Sequence, residues 1–180
     1  MNRCTWAMNV NEIYTKYHDE EWGEPIHDDQ KLYEMLILES FQAGLSWSCI
    51  LNKRENFRKA FDNFDINKII NYDENKIKVL QNNEGIIRNK LKIKATINNS
   101  KIFKQIQKEY GSFDKYIWSF TNNETIYELD KVSSELSDSI SKDLKQRGMT
   151  FVGTIIIYSY LQAIGIINSH EPKCFKHHKI

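Results

Sequence analysis

The sequence predicts an all-α fold, and three observations carry that expectation. Apolar residues recur at helical spacing, Gly and capping residues punctuate those runs, and the two prolines, Pro25 and Pro172, lie outside them. From Asp29 to Ala43, the residues Leu32, Met35, Leu36 and Ala43 form one stripe, and Gly44 follows as a C-terminal stop. Ser46 reads as the N-cap of a second helix running to about Phe61. Further helices are expected over Ile66–Tyr72, Asn75–Asn82, Ile86–Tyr110, Phe113–Phe120, Ser133–Gln146 and Thr154–Ile164. The stretch TIIIYSY is rich in β-branched residues, but no alternating partner strand is evident, so it is read as helix. The least regular piece, Thr121–Val132, is read as a surface connection.

Length and composition bound the function. With 180 residues and 41% apolar content, the chain suits a single helical domain over 1–180, or two small lobes sharing a cleft. Lys+Arg 25 against Asp+Glu 24 leaves a formal charge of +1, so any nucleic-acid surface must come from local clustering of cations. No run reaches the roughly 18 apolar residues that span a bilayer, and MNRCTWAMNVNE lacks the apolar core of a signal peptide. A cytoplasmic protein without membrane contact is expected. The odd number of cysteines (Cys4, Cys49, Cys174) favours ligation or burial over a disulfide.

Three local features stand out. Glu39 falls on the apolar stripe of its helix, and a carboxylate there is expensive unless something pairs with it. A structural partner, such as a lysine or a helix N-terminus, is one explanation. The other is a ligand, because Trp6, Tyr14, Tyr17, Trp22 and Trp47 supply large rings nearby in sequence, and a carboxylate facing aromatic walls receives a flat cation well. From spacing alone an ordinary aromatic core is the better explanation of these rings. In KQRGMTFVGTIIIYSYLQ, a helix ending at Gly148 and another opening at Thr154 make a short hairpin that presents backbone N–H groups to an anion. Lys142, Lys145 and Arg147 add cations upstream. Finally, His170 and Cys174 are spaced like metal ligands in HEPKCFKHHKI.

YHDEEWG, LESFQAGLSWSCILNKRENFRKAF, GIIRNKLKIKA, WSF and LKQRGMTFVGT follow in the order of the 3-methyladenine DNA glycosylase I family, which the chain resembles from Arg3-Cys4 to Cys174. The resemblance implies a helix-hairpin-helix glycosylase fold that excises 3-methyladenine from alkylated double-stranded DNA. It also implies one structural zinc ion held by Cys4, His18, His170 and Cys174, a closed tetrahedral set joining the two chain ends. His177 and His178 lie close enough in sequence to compete. Glu39 is the implied catalytic residue, accepting hydrogen bonds from the flipped base, with Trp47 and Tyr17 stacked or packed against it and Tyr14, Trp22 and Trp6 completing the wall. Gln42 is implied to touch base or strand. Leu45, in the turn Ala43-Gly44-Leu45, is implied as a plug in the DNA, while Lys145, Arg147, Val152, Gly153 and Thr154 grip the backbone. The sequence departs from the family pattern at Phe41, a position more often polar.

The chemistry follows from charge. Adenine methylated at N3 is cationic while attached to deoxyribose and leaves neutral, so recognition supplies much of the selectivity. The base must leave the stack first, and a damaged base flips more cheaply. No aspartate follows the hairpin, Glu171 being the only later carboxylate, and Ile155 stands where lyase relatives carry a lysine. A monofunctional, monomeric glycosylase that leaves an abasic site is therefore expected. Competing readings are a broader alkylated-base range, for example 3-methylguanine, or a zinc-stabilised DNA-binding module without catalysis. A hydrolase built on Asp19-Glu20-Glu21 is disfavoured because adjacent acids usually form a solvated surface, and a thiol enzyme on Cys49 because nothing nearby activates the thiol.

Overall fold

The computed structural model describes residues 2–177, so His178 lies outside the described residues. In chain order its helices are α1 (Glu12–Glu20), α2 (Asp29–Gln42), α3 (Trp47–Asn52), α4 (Arg54–Ala60), α5 (Ile66–Ile69), α6 (Glu74–Gln81), α7 (Lys90–Tyr110), α8 (Phe113–Ser119), α9 (Glu135–Gln146) and α10 (Thr154–Ala163). Two two-residue strands, β1 (Ile126–Tyr127) and β2 (Ile167–Asn168), pair in parallel. No helix among the described residues is long and apolar enough to cross a membrane.

Helix α2 is the axle. Every residue from Leu32 to Phe41 is buried, the signature of a helix enclosed on all sides. It packs against α3, α7, α8 and α10, and α10 in turn lies along α9. Phe41 is fully buried with its ring 4.8 Å from Phe57 and 5.8 Å from Phe61, which explains an apolar residue at that position. Asp28 caps the start of α2, and Gly44, with φ +78°, ends it as the sequence suggests.

Four expectations need correction. The fold is mostly helical rather than all-α, because β1 falls inside the stretch read as a surface connection, and strands of two residues show no alternation to read. The helix expected from Ser46 to Phe61 is two helices broken at Lys53, whose φ of −100° and ψ of 0° leave the α region without any Pro or Gly to announce it. The helix expected from Ile86 starts at Lys90, because the Asn89 side chain caps it by accepting from the Leu91 and Lys92 amides. Helix α1, capped by Asn11, was not foreseen, since its buried face consists of Tyr17 and His18 rather than aliphatic residues.

Gly165, just beyond α10, lets the segment before α2 pass against the end of that helix. Its φ is +75°, and a Cβ there would lie 2.3 Å from the Glu24 carbonyl carbon and 2.4 Å from Pro25 N. Both neighbours are backbone, so neither can yield by rotating a side chain. Gly165→Ala is expected to destabilise the protein by about 3 kcal/mol or more, lowering the melting temperature by roughly 6–12 °C in a calorimetric scan. A shift below about 2 °C would show that the segment relaxes freely.

Candidate active site and metal centre

The C-terminal half of α2 carries Glu39 into a cavity of about 310 Å³. Trp6, Tyr14, Tyr17, Trp22 and Trp47 form its aromatic walls, together with Gln42. The rings brace one another: Trp6 meets Trp22 edge-on at 4.9 Å and Tyr14 at 5.4 Å, and Tyr17 lies 5.4 Å from Trp47. The sequence reading named all of these residues. It missed the opposite wall, where Leu129, Asp130, Ser159, Gln162, Ser169 and Glu171 close the cavity. These come from the irregular 121–132 stretch, from α10 and from the segment after β2, and their sequence carries no local signal of a site. Glu171, the only carboxylate after the hairpin, lines the cavity with Oε1 held by the Thr5 amide at 2.9 Å and hydroxyl at 2.6 Å.

Glu39 is only 2% exposed, and its Oε2 finds no hydrogen-bond partner among the described residues. Burial alone pushes its carboxyl well above the ordinary value of 4.5. Gln42 Oε1 and Trp47 Nε1 are likewise buried without partners. The contrast with Glu34, on the same helix, is informative. Glu34 is also buried but meets Arg54 Nε at 2.6 Å and an Arg58 guanidinium nitrogen at 2.8 Å. Glu34 is the structural carboxylate of this helix, and Glu39 is the one left for something else. Burial also raises the Tyr14 and Tyr17 phenols, which remain protonated donors.

Behind the aromatic wall, Cys4, His18, His170 and Cys174 are all buried, with ligand atoms within 4.8 Å of one another, and can hold one metal ion. Cys4 Sγ lies 3.4 Å and Cys174 Sγ 3.6 Å from His170 Nδ1, and Cys174 Sγ lies 3.5 Å from His18 Nε2. The outer nitrogens are engaged: His18 Nδ1 donates to Asp19 at 2.8 Å, and His170 Nε2 donates to the Trp22 carbonyl at 3.0 Å. Such partners fix each imidazole's tautomer and aim the free nitrogen inward. Asp19 also binds Arg3, whose guanidinium is the main cause holding its carboxyl down to about 2. The acidic run is therefore solvated only at Glu20, since Asp19 pairs with Arg3 and Glu21 with Arg54. Gly23 is required here, because a Cβ at its φ of +78° would lie 3.0 Å from His170 Nε2. His177 turns away and donates to the His170 carbonyl at 2.7 Å.

The hairpin joins α9 to α10 and is held from behind by α7. Asn99 clamps Thr150, accepting from its amide at 3.0 Å and donating to its carbonyl at 2.8 Å, while Asn98 donates to the Gly148 carbonyl at 2.8 Å. Ser141 donates to the Val152 carbonyl, and Ser137 and Thr154 hydroxyls meet at 2.8 Å. Val152, expected to grip the backbone, is fully buried with its carbonyl taken by Ser141 and presents no surface, whereas nothing lies within 4 Å of where a Gly153 Cβ would sit. Lys145 is exposed and forms no ion pair among the described residues. Arg147 differs: Asp143 at 2.7 Å and Glu109 at 2.6 Å take up its guanidinium, over the rings of Tyr110 and Tyr116. Leu45 is 40% exposed beside the cavity-forming helix, in a turn where Gly44 has open space around it.

Comparison with known proteins agrees along the whole chain. It is 42% identical over 181 residues to DNA-3-methyladenine glycosylase 1 of Escherichia coli (strain K12), an alignment spanning 97% of this chain and 96% of that one. A crystal structure of 3-methyladenine DNA glycosylase I superposes with a TM-score of 0.94 at 40% identity, covering 98% of this chain and 100% of the other. The enzyme from Staphylococcus aureus, solved for the structural basis of its 3-methyladenine recognition, superposes with a TM-score of 0.91 at 33% identity and 99% coverage of both chains. The family model for methyladenine glycosylase matches residues 6–177. With its aromatic cavity, its buried carboxylate and a relationship that runs nearly end to end, the chain belongs to the methyladenine glycosylase family.

Proposed function

We propose that this protein is a monofunctional DNA glycosylase that extrudes 3-methyladenine from alkylated duplex DNA into the aromatic cavity and hydrolyses its N-glycosidic bond. The observation that carries this reading is the buried, unpartnered Glu39 carboxylate among tryptophans. A cationic base supplies the missing charge, and cation–π attraction from the rings adds to it. The three orphaned groups are two acceptors, Glu39 Oε2 and Gln42 Oε1, and one donor, Trp47 Nε1. An adenine edge offers amino hydrogens and a ring nitrogen in return, whereas the O6 of guanine would set acceptor against acceptor. Glu39 acts on the reaction by favouring the alkylated base in its activated, cationic form until it leaves neutral. Tyr17 and Trp47 hold the ring plane, and the enclosing wall of Leu129, Ser159 and Gln162 limits water around the sugar.

The duplex is held by the exposed amides at the start of α10 and by Lys145, with Leu45 filling the space left by the extruded base. A Schiff base is not expected, because Ile155, 58% exposed in the first turn of α10, offers no amine. Borohydride in the reaction should trap no covalent protein–DNA complex, and a trapped species of combined mass would refute monofunctional action.

The metal centre is read as a zinc site. Zinc bonds of about 2.3 Å to sulfur and about 2.0–2.1 Å to nitrogen give tetrahedral S···N edges of about 3.5 Å, close to the separations found here. Two thiolates and two imidazoles leave no position for water, so the ion's role is to pin the chain ends. Cys4, Cys174, His18 and His170 would hold it, while Asp19 and the Trp22 carbonyl orient the imidazoles.

The test of the activity is chromatographic release of free base from methylated duplex DNA. Release of 3-methyladenine with retention of 7-methylguanine supports the reading. Release of both would mean a broader pocket, and DNA binding by the folded, metal-loaded protein without release would mean a binding module.

A further inference from the structure

One buried cation plays no part in the reactions described so far. Lys92, in the first turn of α7, is 7% exposed and forms no ion pair among the described residues. Its Nζ donates to the Phe41 carbonyl at 2.7 Å and to the Ala43 carbonyl at 2.6 Å, at the C-terminal end of α2. An ammonium there satisfies open carbonyls and opposes the negative end of the helix dipole. The same ammonium stands 5.8 Å from the ring centre of Phe151, a hairpin-turn residue held at φ +56°. One side chain thus touches both the root of the Ala43–Leu45 turn and the turn of the hairpin, segments far apart in sequence. Packing alone gives no reason for a lysine, because a methionine would fill the same space without a buried charge.

We propose that Lys92 is a positioning residue that keeps the Leu45 turn in register with the hairpin, so that a duplex gripped at the hairpin presents its extruded base where Leu45 can replace it. This rests on the reading of Leu45 as the residue that fills that space. The role belongs to duplex engagement and leaves the cavity itself unchanged.

The experiment compares the parent with Lys92→Met, Lys92→Arg, Leu45→Ala and the Lys92→Met/Leu45→Ala pair. Single-turnover release of 3-methyladenine from duplex DNA is measured beside binding of free 3-methyladenine, followed by tryptophan fluorescence. Lys92→Met is expected to slow release about tenfold, the scale of one charge-assisted hydrogen bond, with free-base affinity within about twofold of the parent. Lys92→Arg should recover most of the rate, and the pair should be no slower than its slower single variant, because both changes disable one device. Parental release by Lys92→Met, an equal loss of free-base binding, or additive losses in the pair would each overturn the inference. If Leu45→Ala alone releases base normally, the reading of Leu45 falls and this inference with it. Should Lys92→Met fail to fold, Lys92→Gln, which keeps a neutral donor, is carried through the same cycle and judged by the same additivity.

Discussion

Glu39→Gln is expected to slow release of 3-methyladenine from methylated duplex DNA by roughly two to three orders of magnitude while raising the melting temperature by about 2–4 °C. The two effects share one cause. The carboxyl is buried with Oε2 unpartnered, so the empty protein bears the desolvation cost of a charge that only a cationic guest relieves. Glutamine removes the cost and the charge together. The sign with pH can be worked out. A carboxyl whose folded pKa lies above its unfolded value binds more protons in the folded state between those two values, so parental stability falls as pH rises through that window. Glu39→Gln lacks that slope, and its advantage in stability grows over the same range. Release by the parent should improve as pH rises through the raised pKa, because the ionised carboxylate receives the cation, and the variant should lose this dependence. Parallel losses of rate and melting temperature would show instead that Glu39 serves the fold, as Glu34 does.

The second large effect comes from the metal centre. Cys174→Ala is expected to take the purified protein from one bound zinc to none by elemental analysis and to lower the melting temperature by roughly 10 °C or more. A cross-link closing a loop as long as that between His18 and His170 contributes about 5 kcal/mol by chain entropy, and this set holds the only ligands that tie the two segments through such a link among the described residues. The site is also unsuited to stand empty. Burial pushes the Cys4 thiol up to about 12 and the His170 imidazole down to about 4, so without a cation Cys4 stays a thiol and His170 a neutral imidazole. Trp6 and Trp22 pack edge-on against His18 and His170 at 5.1 and 4.6 Å and also wall the cavity. Binding of free 3-methyladenine should therefore weaken in Cys174→Ala even at temperatures where α-helical signal is intact. Native protein without metal, joined to a variant of parental melting temperature, would dispose of the zinc site.

Much of this was legible in the chain. Helices α2, α5, α6, α8, α9 and α10 were readable to within a few residues, because each buries a stripe at helical period and most carry a side-chain cap at the N-terminus. The cavity's aromatic half was legible because Glu39 violates the stripe of α2 and the rings cluster in the segments that precede and follow that helix. The break at Lys53 and the late start at Lys90 were not, since each is set by packing and capping choices that leave periodicity intact.

What the sequence determined by itself was local: where most helices begin and end, the buried carboxylate on α2, and a hairpin ending in Val152-Gly153. The tertiary structure alone decided what those features face. It paired Glu34 with arginines and left Glu39 without a partner, a difference invisible along α2 because both residues are glutamates buried on one helix. It gave Arg147 to Asp143 and Glu109 and left Lys145 exposed without an ion pair among the described residues, although the two cations stand two residues apart. It also brought Glu171, Gln162 and Leu129 to the far wall of the cavity. Whether a charge is spent inside the protein or held ready for a ligand depends on neighbours distant in the chain, and neighbourhood of that kind exists only once the chain is folded.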